Sequence, residues 1–236
     1  MKKFLSAVSF LTIIPARRSV SVEESIPFFP MVGLLIGGVL SISHLLLSPL
    51  LSPLLTSVLV VLIWVIITGG IHIDGFIDTV DGLSAGGKRE RILSVMEDGC
   101  VGAKGAASLF LLLFLKVILI KEARESLLLL TPMMARWAVV TACFFGQPAK
   151  SGGIGRRFIE RAGIGAFSVA SITTAFPLFF YFGARGVLLL LLFFLFSIGF
   201  IFYMKKRIGG LTGDTLGALC EMAEVLFLLS IRFLEK

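Results

Sequence analysis

Gly69-Gly70-Ile71-His72-Ile73-Asp74-Gly75-Phe76-Ile77-Asp78-Thr79-Val80-Asp81-Gly82 stands between an apolar run that begins at Leu54 and another that begins at Gly105. Asp74, Asp78 and Asp81 fall at i, i+4 and i+7, which is one face of a helix. Carboxylates stacked in that way repel one another unless a positive group sits among them. A divalent cation is the simplest such group, and hard oxygen donors suit magnesium or manganese better than zinc. The glycines around the three acids let a ligand approach the backbone closely.

The surroundings of this stretch are those of a membrane protein. Apolar residues make up 57% of the 236 and charged residues only 16%, with a mean hydropathy of +1.00, whereas soluble domains are roughly half apolar and about a quarter charged. Seven runs approach the ~20 residues that cross a bilayer core: Phe28–Leu47, Leu54–His72, Gly105–Ile120, Ser126–Gly146, Ala166–Phe182, Gly186–Met204 and Thr215–Phe233. The expected fold is all-α, a polytopic helical bundle of about seven transmembrane helices forming one domain over residues 1–236. Pro30, Pro132 and Pro177 lie in or at the start of these runs, where neighbouring helices can satisfy the freed carbonyls. No internal repeat is visible, which disfavours the repeat-built transporter architectures.

The net charge of +7 does not point to nucleic acid, because the basic residues flank apolar runs. Lys2, Lys3, Arg17 and Arg18, then Lys88, Arg89, Arg91 and Lys104, then Lys150, Arg156, Arg157 and Arg161, then Lys205, Lys206 and Arg207 fall on one side. The positive-inside bias places that side, the N-terminus and every acidic cluster in the cytoplasm. The expected location is therefore the plasma (inner) membrane, multi-pass, with lipid as a partner and the active site cytoplasmic; self-association into a homo-oligomer stays open. Phe4–Ile14 imitates a signal peptide, but Pro15-Ala16-Arg17-Arg18 puts charge where small residues belong. The segment is expected to be retained, on the membrane or inside the bundle. Cys100, Cys143 and Cys220 match no metal spacing and read as unpaired thiols.

Other residues join the aspartates as candidates. His72 is placed to act as a general base or to donate to a phosphate, while His44 reads as a core histidine. Met96–Gly105 combines acids, three glycines and Lys104 just before an apolar run, a pattern that holds phosphate through free N–H groups at a helix N-terminus. Asp214, Glu221 and Glu224 share a face of the last run, and carboxylates inside a membrane span normally mark an ion, proton or substrate path. Arg136 is a candidate to answer those carboxylates or to grip a phosphate; Lys116 snorkels. Lys88, Arg89 and Lys104 supply basic loops that recruit phosphorylated substrates.

These motifs together resemble the cobalamin synthase family, the adenosylcobinamide-GDP ribazoletransferases. The resemblance rests on the 69–82 stretch and on Gly210-Leu211-Thr212-Gly213-Asp214-Thr215-Leu216-Gly217-Ala218 with Glu221 and Glu224. Phe10–Pro15, Phe29–Gly37 and Ala135-Arg136-Trp137 extend it over most of the chain. Ile73 stands where many members carry an acid, and Glu97 where a lysine is frequent. The resemblance implies transfer of the phosphocobinamide moiety of adenosylcobinamide-GDP to α-ribazole or its 5′-phosphate, with release of GMP and dependence on Mg²⁺. On this reading Asp74 and Asp78 hold Mg²⁺ on the diphosphate, Asp81 is a further ligand, and Asp81 or His72 takes the hydroxyl proton, while Asp214, Glu221 and Glu224 complete a second metal site or orient the first. Two alternatives stay beside it: a CDP-alcohol phosphotransferase, whose Asp-Gly-x-x-Ala-Arg spacing is not met here, and an ion-coupled transporter using Glu221, Glu224 and Arg136.

Overall fold

The computed structural model describes residues 1–16 and 20–234; Arg17 and Arg18, which enter the topology reading, lie outside them. Among the described residues the architecture is all-helical, a polytopic membrane bundle without a strand. Eleven α-helices follow in order: α1 (Lys2–Leu11), α2 (Phe29–Leu47), α3 (Pro53–Thr68), α4 (Ile71–Ala85), α5 (Arg89–Glu97), α6 (Ala103–Lys121), α7 (Glu125–Phe145), α8 (Ile154–Arg161), α9 (Ile164–Phe182), α10 (Ala184–Ile208) and α11 (Gly213–Leu234). A 3-10 turn, Val22–Phe28, leads into α2.

Five segments are long and apolar enough to cross a membrane, Val22–Leu47, α6, Ser126–Phe145, α9 and α10, and α3 with α4 makes a sixth only if the bent pair is counted as one. The expected run Leu54–His72 is thus split. Gly69 and Gly70 take φ values of 61° and 68°, a left-handed conformation that glycine adopts without a Cβ clash, and α4 leaves at 93° to α3. At 15 residues, roughly 22 Å, with three carboxylates, α4 is not a crossing helix. The third expected run is longer than it looked, 19 residues in α6. Pro30 sits in the first turn of α2 and bends nothing there, whereas Pro132 and Pro177 lie inside α7 and α9.

Helix α7 is the central post: Met133, Met134, Ala135, Ala138, Val140 and Ala142 are fully buried. It packs along α2 because Gly33 and Gly37 present bare backbone, where a Cβ would come within 2.5 Å of the Met133 Cα and 2.1 Å of the Leu129 carbonyl oxygen. Small residues at such crossings are what permit close helix contact in a membrane. Helix α11 lies against both α7 and α4. Helix α1 is tucked into the bundle, with Ala7 and Leu11 buried, Phe10 stacked on Phe29 at 6.0 Å, and the Ile13 N–H donating to the Ile67 carbonyl at 2.9 Å.

Candidate functional site

The site is built where α4 crosses α11. Gly75 faces the backbone of Asp214 so closely that a Cβ would lie 2.7 Å from its carbonyl oxygen and 2.8 Å from its Cα. One turn on, Gly217 meets the backbone of His72, with a Cβ position 3.2 Å from that carbonyl. The two glycines therefore serve helix contact rather than ligand approach, and their consequence is to bring the first turn of α11 against the acidic face of α4. Gly75→Ala must push the helices apart; a cost of about 1–3 kcal/mol is expected, read as a lowered unfolding midpoint of the purified protein. Loss of activity should accompany it.

A cavity of about 290 Å³ opens at this crossing. His72, Asp74 and Asp214 line one side, and Phe10, Phe29, Val139, Phe158 and Leu216 line much of the rest. Thr212 caps α11, exchanging bonds with Thr215, and its hydroxyl donates to Asp214 Oδ2 at 3.3 Å, which orients that carboxylate toward the cavity edge. Asp78 follows Asp74 by one turn. Partial burial, then the negative charges of Asp74, Asp214, Asp81 and Asp98, push its carboxyl up to about 6. Among the described residues no cation forms an ion pair with Asp74, Asp78 or Asp214, so the site carries net negative charge at its centre.

Asp81 does something else. Its two oxygens accept the N–H groups of Gly102 and Gly105, each at 2.8 Å, at the start of α6. The anion held by that glycine-rich helix N-terminus is the chain's own carboxylate, so Met96–Gly105 is not a free phosphate cradle. Gly102 and Gly105 are needed because a Cβ at either would fall 2.5 or 2.2 Å from an Asp81 oxygen. Asp81 is buried, and this engagement gives it a positioning role between α4 and α6. Asp81→Ala leaves two amide donors without their carboxylate and is expected to cost about 1–3 kcal/mol, measured by thermal unfolding.

Glu221 and Glu224 are also withdrawn from the cavity. Lys116 Nζ lies 2.5 Å from a carboxylate oxygen of each, and Arg136 Nη1 donates to the other oxygen of Glu224. All four side chains are buried, Glu224 and Arg136 almost completely, and Lys116 also faces the Trp64 ring at 4.6 Å. Two cations answer two anions, which is how buried charge is tolerated. These glutamates are therefore neutralised by cations inside the bundle, Lys116 does not snorkel, and Arg136 is buried against Glu224. Arg136 instead reaches the site indirectly: its Nη2 is 3.4 Å from His72 Nδ1. A guanidinium only donates, so Nδ1 accepts and the ring proton sits on Nε2. Burial, then the charges of Arg136 and Lys116, hold the His72 imidazole well below its ordinary range, which suits a neutral donor better than a base.

The basic loops divide. Arg89 donates from Nη2 to the Ala149 carbonyl, Lys104 reaches the Ser84 carbonyl at 3.4 Å, and Lys88 is an exposed residue preceding α5. Glu97 pairs with Lys150 at 2.7 Å, and that hydrogen bond and charge hold its carboxyl below its usual range. These contacts, with the Ala149 and Leu211 N–H bonds to Leu211 and Gln147 carbonyls at 2.8 Å, dock the 147–156 loop beside α11. A second cavity of about 140 Å³ between them is lined by Lys150, Gly152, Gly153, Arg156, Thr212 and Asp214 among others. Sequence reasoning counted Lys150 and Arg156 only as topology markers; the signal was Lys150-Ser151-Gly152-Gly153-Ile154-Gly155-Arg156-Arg157 itself, glycines interleaved with cations. Among the described residues no three of His, Cys, Asp and Glu are gathered into a preformed metal cage.

The profile of the family described as Cobalamin-5-phosphate synthase matches residues 3–232. Proteins named adenosylcobinamide-GDP ribazoletransferase are similar to the chain from end to end. One from Caldanaerobacter subterraneus subsp. tengcongensis is 35% identical over 96% of this chain and 96% of its own. One from Alkaliphilus metalliredigens is 36% identical over 98% and 95%, and one from Roseiflexus sp. is 35% identical over 95% and 87%. No solved structure matches significantly. The profile match spans α1 to α11, and so takes in both helices that build the acidic crossing. The chain belongs to the cobalamin-5-phosphate synthase family, a family of enzymes.

Proposed function

We propose that this enzyme joins adenosylcobinamide-GDP to α-ribazole, or to α-ribazole 5′-phosphate, releasing GMP, in the last steps of cobalamin assembly. The observation that carries the reading is the crossing of α4 and α11, which collects Asp74, Asp78 and Asp214 beside a cavity with a cationic loop on its far side. The 3′-hydroxyl oxygen of the nucleoside forms a bond to the phosphorus that carries cobinamide. The bond from that phosphorus to the bridging oxygen breaks, and its electron pair leaves with GMP. The hydroxyl proton passes to Asp214, which borders both cavities. His72 donates from Nε2 to a phosphoryl oxygen, and Lys150 and Arg156 attract the diphosphate.

Magnesium fits this donor set. The ion is usually held by one or two carboxylates and completed by substrate phosphates, so the lack of a three-residue cage among the described residues is no obstacle. The mutual repulsion registered at Asp78 is what a cation would relieve. Asp74 and Asp78 would hold Mg²⁺, which when bound neutralises charge on the diphosphate. The basic loops support a cytoplasmic placement of this face in the plasma membrane.

The test is turnover of purified, lipid-reconstituted protein with adenosylcobinamide-GDP and each acceptor, with Mg²⁺ and with chelator, following GMP and the corrinoid product. Metal-dependent formation of both products is expected. Folded protein that releases no GMP with either acceptor would overturn the reading.

A further inference from the structure

We infer that the 290 Å³ cavity is the subsite for the acceptor nucleoside, with its aromatic base against the phenylalanine wall and its ribose toward Asp74 and Asp214. The inference rests on the functional reading above and deepens it by placing the two substrates on opposite sides of Asp214.

Size is the first argument. A cavity near the lower end of the range for small-molecule sites takes a nucleoside and not a corrinoid macrocycle. Chemistry is the second. Phe10, Phe29 and Phe158 form a mutually packed aromatic wall, with ring centroids 5.2 to 6.0 Å apart. Val139 and Leu216 continue it, so that side offers no side-chain donor or acceptor. A guanine base there would bury its amide N–H, amino group and carbonyl without partners, at a cost that rejects it. A benzimidazole-type base presents only ring carbons and methyl groups along its six-membered edge, and its one free ring nitrogen lies toward the ribose, so that edge is buried without losing a hydrogen bond. The polar side, His72, Asp74 and Asp214, suits ribose hydroxyls.

The third argument is adjacency. Ile154, Gly213 and Asp214 line both this cavity and the one containing Lys150 and Arg156. A nucleoside hydroxyl at Asp214 therefore faces the cationic side, where the diphosphate of the other substrate belongs.

Val139→Phe fills the cavity from α7, and Phe10→Leu trims its half-buried rim; both are compared with the wild-type full-length chain in lipid. Each is expected to raise KM for α-ribazole on the order of tenfold or more while KM for adenosylcobinamide-GDP moves less than about twofold. In the wild type, α-ribazole alone should raise the unfolding midpoint and guanosine should not. A selective rise in KM for adenosylcobinamide-GDP, or stabilisation by guanosine and not by α-ribazole, would overturn the assignment. So would unchanged KM values in both variants; should Val139→Phe fail to fold, Phe10→Leu decides. Wild-type protein stabilised by α-ribazole yet releasing no GMP would sink the functional reading and leave the cavity assignment standing.

Discussion

Asp214→Asn lowers GMP release by on the order of 10²–10⁴-fold, the usual loss when a positioned proton acceptor is removed, and does so without destabilising the protein. The amide keeps the shape of the side chain and its contact with the Thr212 hydroxyl. It also removes one of the negative charges that push the Asp78 carboxyl up to about 6, so the unfolding midpoint should hold or rise. Asp74→Asn and Asp78→Asn should share the loss of turnover but differ in their answer to metal. If Asp74 and Asp78 hold Mg²⁺, raising its concentration recovers part of their activity and none of that lost in Asp214→Asn. Measuring GMP release against Mg²⁺ for the three variants separates the two roles. Recovery of Asp214→Asn by metal would reassign it as a ligand, and wild-type turnover in Asp78→Asn would remove that residue from the site.

The acidic face of α4 was legible because its information is local: a spacing of four within one helix is a geometric statement about one turn. The bundle was legible for the same kind of reason, since each apolar run announces itself. What the chain does at Gly69-Gly70 was also written in two adjacent glycines, but an apolar run read on to His72 concealed the 93° turn. Long-range pairing was not legible at all. Asp81 looks identical to Asp74 and Asp78 in spacing, and only its partners at Gly102 and Gly105 distinguish it. Glu221 and Glu224 find their answers 105 and 108 residues away in Lys116. That pairing also weakens the transporter alternative, because a charge-balanced, closed cluster leaves neither Glu221 nor Glu224 unpaired to carry a coupled ion.

Glu224→Ala should be the most destabilising single change, by roughly 3–5 kcal/mol, because breaking a buried ion pair leaves a charge without compensation. Arg136 would keep the Pro132 carbonyl at 3.4 Å and His72 but lose its carboxylate, and Lys116 would rely on Glu221 alone. The pair-deleted variant Arg136→Met with Glu224→Met answers whether charge or packing sets that cost. Replacing both partners by apolar groups of similar volume is often neutral or better, so the double variant should unfold well above Glu224→Ala. A double variant as unstable as the single would mean that shape, not charge balance, holds the cluster. Activity separates the two roles further. If Arg136 fixes the His72 tautomer, the double variant folds but stays slow, because Nδ1 has lost its donor and the ring proton no longer has a reason to sit on Nε2. Arg136→Lys with Glu224 intact preserves the charge and not the fork that reaches both Glu224 and His72, so it should fold better than Glu224→Ala and still turn over slowly. Full activity in both would reduce the cluster to a membrane-buried fastening between α6, α7 and α11.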